Sequence, residues 1–260
     1  MDKILGNDVF EVFTAAPHVI LVRIVSKPFG VMTIEARRQL AAFIAGAGAN
    51  HGARCIVLIG SDKSFSAGSN IREFEATPEW IEEARRVETH LNETIEQGPV
   101  PVIAACNGHT LGGGAVLALA CDFRIAGRSA TFGVPEVKLG AMPTATGTQR
   151  LPLLVGRGQA LRMILTGQPI DAEEAYRIGL VEELVDDDAL EARAIEVASQ
   201  IASVSPVAVA AARRCVSAGL RNGYNTGLVM EAEITVPLGL SADAIEGKAA
   251  FVEKRVPQFK

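Results

Sequence analysis

Residues Pro101–Ala126, PVIAACNGHTLGGGAVLALACDFRIA, carry the strongest structural signals in the chain. The apolar run Val102–Cys106 predicts a strand that is buried on both faces, and the Asn-Gly pair after it predicts a turn. The run Ala115–Cys121 predicts a helix, so the three glycines at 112–114 lie where a loop becomes a helix N-terminus. Backbone N–H groups at that point lack helical partners, and glycine allows a ligand oxygen to approach them closely.

The glycine spacing excludes two kinds of nucleotide site. A P-loop that began at Gly108 would need Lys and then Ser or Thr where the chain has Gly114 and Ala115. A dinucleotide fingerprint that began at Gly112 would need its third glycine at Leu117. Two interpretations remain: an N–H donor site for a small oxyanion, or glycines that only allow the strand and the helix to pack closely.

The whole segment resembles the hallmark sequence of the enoyl-CoA hydratase/isomerase family, also called the crotonase family. Four further blocks resemble family motifs in the same order: Phe65–Ile71, Phe132–Glu136, Gly147–Leu151 and Phe251–Phe259. The resemblance spans nearly the whole chain and implies an α/β fold, the crotonase-like spiral of ββα units with a C-terminal helical region. It implies a core at residues 1–187 and, at 188–260, helices that build a homotrimer or a dimer of trimers.

Apolar periodicity predicts the individual elements. The predicted strands lie at residues 19–25, 55–59, 102–106, 130–133 and 180–185. The predicted helices lie at residues 34–47, 78–97, 115–121 and 190–203, with further helices starting at 206 and after 222 and 241. In the helix at 78–97, apolar residues recur at spacings of three and four, and the acidic residues are expected on the outer face.

Composition limits the classes of function. The chain has 260 residues, 48% of them hydrophobic and 21% charged, which is ordinary for a soluble globular protein. The net charge of -5, with no basic block, argues against a nucleic-acid partner. The N-terminus lacks a basic, apolar signal sequence, and no apolar run approaches about 18 residues, so we expect a cytoplasmic protein with no membrane partner.

The sequence predicts neither a metal nor a disulfide. The four histidines are scattered, without a metal-ligand spacing. The four cysteines form no C-x-x-C pair and are expected to be reduced thiols, mostly in the core: Cys55, Cys106, Cys121 and Cys215.

The resemblance implies that the N–H groups of Ser69 and Gly113 donate to the carbonyl oxygen of an acyl-CoA thioester. It also implies CoA contacts, here assigned to Lys27, Ala67, Gly68, Asn70, Ile71, Gly112, Phe251 and Lys254. Coenzyme A is then part of the substrate, and no separate cofactor is expected. From the residues alone, the 67–68 pair predicts only a tight turn, and the composition around Lys27 favours a solvated lysine over a CoA contact. Asn70 replaces the family's usual aspartate.

Glu136 has two interpretations. On its own, a Pro-Glu pair predicts the start of a helix, where the dipole favours a carboxylate. The resemblance instead makes Glu136 the acid/base residue. The family's other glutamate is replaced by Val116, which cannot hold water. Moving a double bond needs only one carboxylate, so the pattern resembles the isomerase branch, although hydration with one glutamate stays open.

Other functions on the same scaffold also stay open. They are acyl-CoA hydrolysis, decarboxylation or another lyase reaction, and non-catalytic binding of CoA or RNA. The acidic charge and the intact Glu136 argue against the binding proteins. Thr144 and Thr146 replace two family glycines, which predicts a narrower and more polar acyl pocket.

Overall fold

The computed structural model describes residues 1–61 and 63–260, which form a larger and a smaller β-sheet with helices around them. The larger sheet contains β1 (Asp2–Gly6), β2 (Phe10–Ala16), β3 (Val19–Ile24), β4 (Cys55–Gly60), β6 (Val102–Cys106), β8 (Phe123–Gly127) and β11 (Glu183–Val185). The smaller sheet contains β5 (Ser64–Ser66), β7 (His109–Leu111), β9 (Thr131–Gly133) and β10 (Ile170–Asp171).

The helices are α1 (Ile34–His51), α2 (Pro78–Gln97), α3 (Gly113–Ala120), α4 (Gly147–Thr166), α5 (Ala172–Arg177), α6 (Leu190–Ala202), α7 (Pro206–Asn222), α8 (Tyr224–Gly239) and α9 (Ala242–Glu253). Two short 3₁₀ turns lie at Ile71–Glu73 and Pro135–Leu139. Local sequence signals explain several helix ends. For example, the Thr33 hydroxyl accepts from the N–H of Ala36 at the start of α1, and Gly52 ends that helix in the left-handed region.

The larger sheet is parallel from β3 to β11 and antiparallel from β1 to β3. Its central strands are uniformly apolar because both faces are covered. One face packs with α1 to α4 in the main core. The other face packs on α6, whose buried residues recur every four positions: Leu190, Ala194, Ala198 and Ala202.

One unit of structure occurs three times along the chain: β4–β5–α2, β6–β7–α3 and β8–β9–α4. In each unit the first strand joins the larger sheet and the second joins the smaller one. The second strands β5, β7 and β9 are parallel neighbours. This repeat confirms the predicted spiral of ββα units, and it brings the three segments that follow β5, β7 and β9 to one edge of the smaller sheet.

Most predicted elements are confirmed, with shifts at their ends. The helix at 78–97 and the strand at 102–106 match the predicted bounds. The strand predicted at 180–185 begins only at Glu183, because Leu180 and Val181 are buried in the core ahead of it. The hairpin of β1 and β2 was not predicted, since β1 is an exposed edge strand with little apolar signal.

Three of the four cysteines are core residues, as predicted: Cys55, Cys106 and Cys121 are buried and free. Burial raises the pKa of the Cys55 and Cys106 thiols to about 12. Within the described residues, no single helix is both long and apolar enough to cross a membrane, and the pair α6 and α7, which passes that test only together, is bent by 103°.

The stability of the fold depends on the central strands. Leu58 on β4 is fully buried, and we expect Leu58→Ala to lower the free energy of unfolding by about 2–5 kcal/mol. The matched change Leu139→Ala, at a side chain that is 71% exposed, should stay within about 0.5 kcal/mol of wild type. Urea unfolding measures both, and equal effects would contradict this placement of the core.

Candidate active site

Three turns lie side by side at one edge of the smaller sheet. Ser66 on β5 pairs with Thr110 on β7, and Thr110 pairs with Phe132 on β9. The carboxyl ends of parallel strands lie at the same edge of a sheet, so the turns that follow these strands are neighbours. These turns contain the predicted catalytic residues Ser69, Gly113 and Glu136, respectively.

Two backbone hydrogen bonds with Met32 hold the Ser69 turn. The N–H of Met32 donates to the Gly68 carbonyl at 2.8 Å, and the N–H of Asn70 donates to the Met32 carbonyl at 3.0 Å. These two bonds form a parallel bridge between Met32 and Ser69. In a parallel bridge, the residue between the two bonded neighbours points its own N–H away from the partner, and here that residue is Ser69. Within residues 1–61 and 63–260 the Ser69 N–H donates to no acceptor, so it is available to a ligand.

The glycine turn provides a second available donor. Gly112 has φ 54° and ψ -131°, a conformation that favours glycine, and its N–H is used in a 2.9 Å bond to the Gly133 carbonyl. Gly113 is the first residue of α3, so its N–H has no acceptor within the helix. In the described part of the chain it has no other acceptor either, and the helix dipole favours negative charge beside it.

The two donor turns are in direct contact. A Cβ on Gly68, which has φ +98°, would lie only 2.7 Å from the Gly113 nitrogen. A Cβ on Gly114 would overlap the Ser66 carbonyl. Positions 68 and 114 therefore require glycine, because the two backbones approach each other closely there. The same contact brings the predicted donor amides of Ser69 and Gly113 close together.

Glu136 lies against the same glycine turn. Its Oε1 atom is 3.6 Å from the position of a Cβ on Gly112, and its Oε2 atom is buried without a partner in the described residues. Burial raises the pKa of this carboxyl group, its own backbone N–H lowers it, and the nearby charge of Glu88 raises it again. A carboxyl group with a raised pKa and an unpaired oxygen beside two available donors is suited to general acid/base chemistry.

A backbone hydrogen bond links two segments that contain predicted CoA contacts. The N–H of Ala67 donates to the Phe29 carbonyl at 2.8 Å, which joins the corner containing the exposed Lys27 to the Ser69 turn. Asn70 caps the following 3₁₀ turn by accepting from the N–H of Arg72, a role that needs no charge. Ile71 is 70% exposed and open to a ligand.

Phe251 and Lys254 belong to the C-terminal helical region. Phe251 is 85% exposed on α9, a helix that packs against α8. Lys254 ends α9 in the left-handed region. Within the described residues of this chain, no hydrogen bond or ion pair joins either side chain to the three turns, so their contact with CoA stays a prediction.

The loop before α4 has an unusual backbone. Ala145 and Thr146 have φ values of 49° and 83°, in the left-handed region that favours glycine. The Thr146 hydroxyl donates to the Ala145 carbonyl, which also accepts from Asn92 of α2 at 2.9 Å. Thr144 is exposed. Thr146 thus adopts a conformation expected of glycine, and α2 holds the loop in place.

Sequence reasoning missed a charged cluster at the site. Arg37 of α1 is buried and donates to the Met32 carbonyl at 2.8 Å, to the Ser69 hydroxyl at 3.1 Å and to Glu88 Oε1 at 3.0 Å. A Cβ on Gly113 would overlap Glu88 Oε1 and would lie 3.0 Å from Arg37 Nη2. We call Arg37, Ser69 and Glu88 the Arg37 cluster. It lies next to Gly113, whose N–H is the second predicted donor.

One signal in the sequence could have revealed Glu88. It is four residues after Ala84 and three before Leu91, so it lies on the apolar face of α2 rather than on the outer face predicted for the acidic residues of this helix. Its side chain is only 15% exposed. A carboxylate within an apolar stripe needs a buried partner, and that partner, Arg37, comes from a different helix.

Comparison with known proteins identifies the family of this chain. Residues 27–260 match the family described as enoyl-CoA hydratase/isomerase. The chain belongs to this family. It is 39% identical over 234 residues to a Bacillus subtilis protein, the putative enoyl-CoA hydratase/isomerase YngF, covering 88% of this chain and 89% of the relative.

Two further members of the enoyl-CoA hydratase/isomerase family are similar over most of their length. The 2,3-dehydroadipyl-CoA hydratase of Escherichia coli is 37% identical over 204 residues, 78% of this chain and 80% of that protein. The crystal structure of the enoyl-CoA hydratase from Bacillus anthracis superposes with a TM-score of 0.91 at 38% identity, covering 96% of this chain and 98% of the other. This hydratase/isomerase family member is therefore an enzyme of the lyase or isomerase type that acts on acyl-CoA.

Proposed function

We propose that this enzyme binds the carbonyl oxygen of an acyl-CoA thioester between the N–H groups of Ser69 and Gly113 and moves a proton with Glu136. The observation that carries the proposal is the position of Glu136. Its carboxyl group lies beside the glycine turn that contains the Gly113 N–H, and within the described residues its Oε2 atom is buried without a hydrogen-bond partner.

The two amides would stabilise negative charge on the thioester oxygen. When a proton leaves the α-carbon, or a nucleophile adds to the β-carbon, an enolate forms and charge accumulates on that oxygen. Donors that are fixed before the reaction stabilise this charge without reorganisation, and the loss of one typically costs about 10²- to 10³-fold in rate. The Met32 bridge and the start of α3 fix the two amides in this way.

Glu136 would carry the proton to or from the carbon skeleton. Because burial disfavours its charged form, it can both accept and release a proton within an accessible pH range. The sequence also predicts that no further cofactor takes part and that the protein is cytoplasmic, and both stay predictions. Among the described residues, no group of three or more His, Cys, Asp or Glu side chains could hold a metal ion.

For the rest of CoA, the proposal keeps the sequence assignments. Lys27 and the backbone of 67–71, with Gly112, would hold the nucleotide and pantetheine portions, and Phe251 and Lys254 would help to cover the CoA of a site. The helical region 188–260 would pack against another copy of the chain in a homotrimer or dimer of trimers. Large apolar side chains exposed on α7, α8 and α9 support this packing: Val216, Leu220, Val229, Val236, Phe251 and Val252.

A pH profile tests the assignment of the base. In buffered D₂O, exchange of the α-proton of a saturated acyl-CoA requires ionised Glu136. We expect the exchange rate to fall as the pH is lowered through the pKa of Glu136, with a midpoint above the ordinary glutamate value of about 4.3, because burial raises that pKa. A midpoint at or below about 4.3 would indicate a solvated carboxylate and contradict the assignment.

A substrate panel tests the reaction itself. Incubation with saturated, 2-enoyl and 3-enoyl CoA esters in H₂O and D₂O, followed by mass spectrometry, separates hydration, double-bond migration and simple exchange. We expect α-deuteration of at least one ester together with hydration or isomerisation of an unsaturated one. Release of free CoA or of CO₂ without α-deuteration would instead support the hydrolase or decarboxylase alternatives.

A further inference from the structure

The side chain at position 116 cannot hold water in this site. Val116 is 1% exposed. It packs so closely against Gly147 that a Cβ on Gly147 would lie 2.7 Å from Val116 Cγ2. Positions 113 and 116 share a face of α3, and helical side chains point toward the helix N-terminus. A carboxylate carried by residue 116 would therefore extend toward the space over Gly113.

Glu88 already places a carboxylate in that space. It reaches over Gly113 from α2, and its Oε1 atom is so close that a Cβ on Gly113 would overlap it. Oε1 is paired with Arg37 at 3.0 Å. Within the described residues, no protein group forms a hydrogen bond with Oε2, and this atom is not fully buried. One oxygen is thus anchored and the other is free to bind water.

Arg37 makes this position compatible with the proposed oxyanion hole. An uncompensated carboxylate beside the Gly113 amide would repel negative charge on a thioester oxygen. The buried guanidinium group of Arg37 provides the opposite charge at 3.0 Å and also donates to the Ser69 hydroxyl. The Arg37 cluster therefore holds a carboxylate next to the donors without adding net charge there.

We propose that Glu88 is a second catalytic carboxylate, which holds and activates the water that adds to a 2-enoyl-CoA thioester. This proposal rests on the function proposed above and specifies it as hydration. It places the water-holding group on α2 instead of at position 116.

The step balances with the groups present. The oxygen of water forms a bond to the β-carbon, and Glu88 takes the proton that this water loses. The π electrons of the double bond move toward the thioester, which forms the enolate held by the Ser69 and Gly113 amides. Protonated Glu136 then gives its proton to the α-carbon. Transfer of a proton from Glu88 to Glu136 through solvent restores the starting state.

The experiment measures two reactions in the same variants: hydration of a short 2-enoyl-CoA and α-proton exchange of butyryl-CoA in D₂O. Exchange adds no water to carbon, so it needs the donors and Glu136 but not Glu88. We expect Glu88→Gln to lower kcat for hydration by roughly 10²- to 10⁴-fold with KM unchanged, and to lower the exchange rate far less, so that the ratio of hydration to exchange falls. Glu82→Gln, on the exposed face of α2, should change neither.

Each other result overturns the proposal in a distinct way. Wild-type hydration in Glu88→Gln would show that Glu88 does not handle the water. A parallel loss of hydration and exchange would show that Glu88 acts only by positioning Ser69 through Arg37. If the wild type catalyses exchange but not hydration, the proposed role of Glu88 is wrong and the proposed function stands. If the wild type catalyses neither reaction, the proposed function is wrong as well.

Discussion

The Glu136→Gln variant is expected to lose roughly 10²- to 10⁴-fold in kcat while binding acyl-CoA as tightly as the wild type. Glutamine has nearly the same shape as glutamate, so the glycine turn beside it should keep its geometry. It cannot take up or release a proton at neutral pH, so proton transfer at the α-carbon should fail. Steady-state turnover and calorimetric binding of a saturated acyl-CoA measure the two effects separately.

A matched control is Glu79→Gln. Glu79 is exposed in the first turn of α2, and its substitution removes the same charge away from the three turns. It should leave both turnover and binding at the wild-type level. A fully active Glu136→Gln enzyme would show that another group moves the proton.

The second large effect is expected from Gly68→Ala, which should lower kcat/KM by about 10²- to 10³-fold, the typical cost of losing one oxyanion donor. The added Cβ would lie 2.7 Å from the Gly113 nitrogen, so the two donor turns would have to separate. Alanine at φ +98° also strains the backbone, and this cost must be separated from the displacement of the donor.

Gly223→Ala is the control for backbone strain. Gly223 has φ +92°, close to the value at Gly68, but nothing lies within 4 Å of its Cβ position. Gly223→Ala should lose stability in urea unfolding through backbone strain alone and keep its activity, whereas Gly68→Ala should lose at least as much stability and also lose activity. Equal activity in the two variants would mean that contact between the turns is not needed for catalysis.

Local signals in the sequence predicted the individual strands and helices, whereas the spiral of ββα units was predicted from the resemblance to the family. Buried strands such as 102–106 are continuous apolar runs, and the helix at 78–97 has clear periodicity. The order of glycine, proline and glutamate motifs placed Ser69, Gly113 and Glu136 on three separate turns. The sequence alone could not show that these turns meet, because that depends on the pairing of β5, β7 and β9 in the smaller sheet.

The pairing within the Arg37 cluster could not be predicted, since its members are far apart in the chain and match no motif. Arg37 and Glu88 are joined only because α1 and α2 pack against each other beside the Ser69 turn. The hypothesis of a single carboxylate counted only the two family positions, 116 and 136. Spacing along α2 places Glu88 on the apolar face, but it cannot show which residue of another helix pairs with it.

The most direct measurement is a crystal structure of the enzyme with acetoacetyl-CoA, a stable ligand with a delocalised thioester. We expect its thioester oxygen to lie about 2.7–3.1 Å from both the Ser69 and the Gly113 nitrogens, with the Glu136 carboxyl group facing the α-carbon. A thioester oxygen within hydrogen-bond distance of only one of these amides or of neither, or a Glu136 carboxyl group directed away from the α-carbon, would contradict the proposed mechanism.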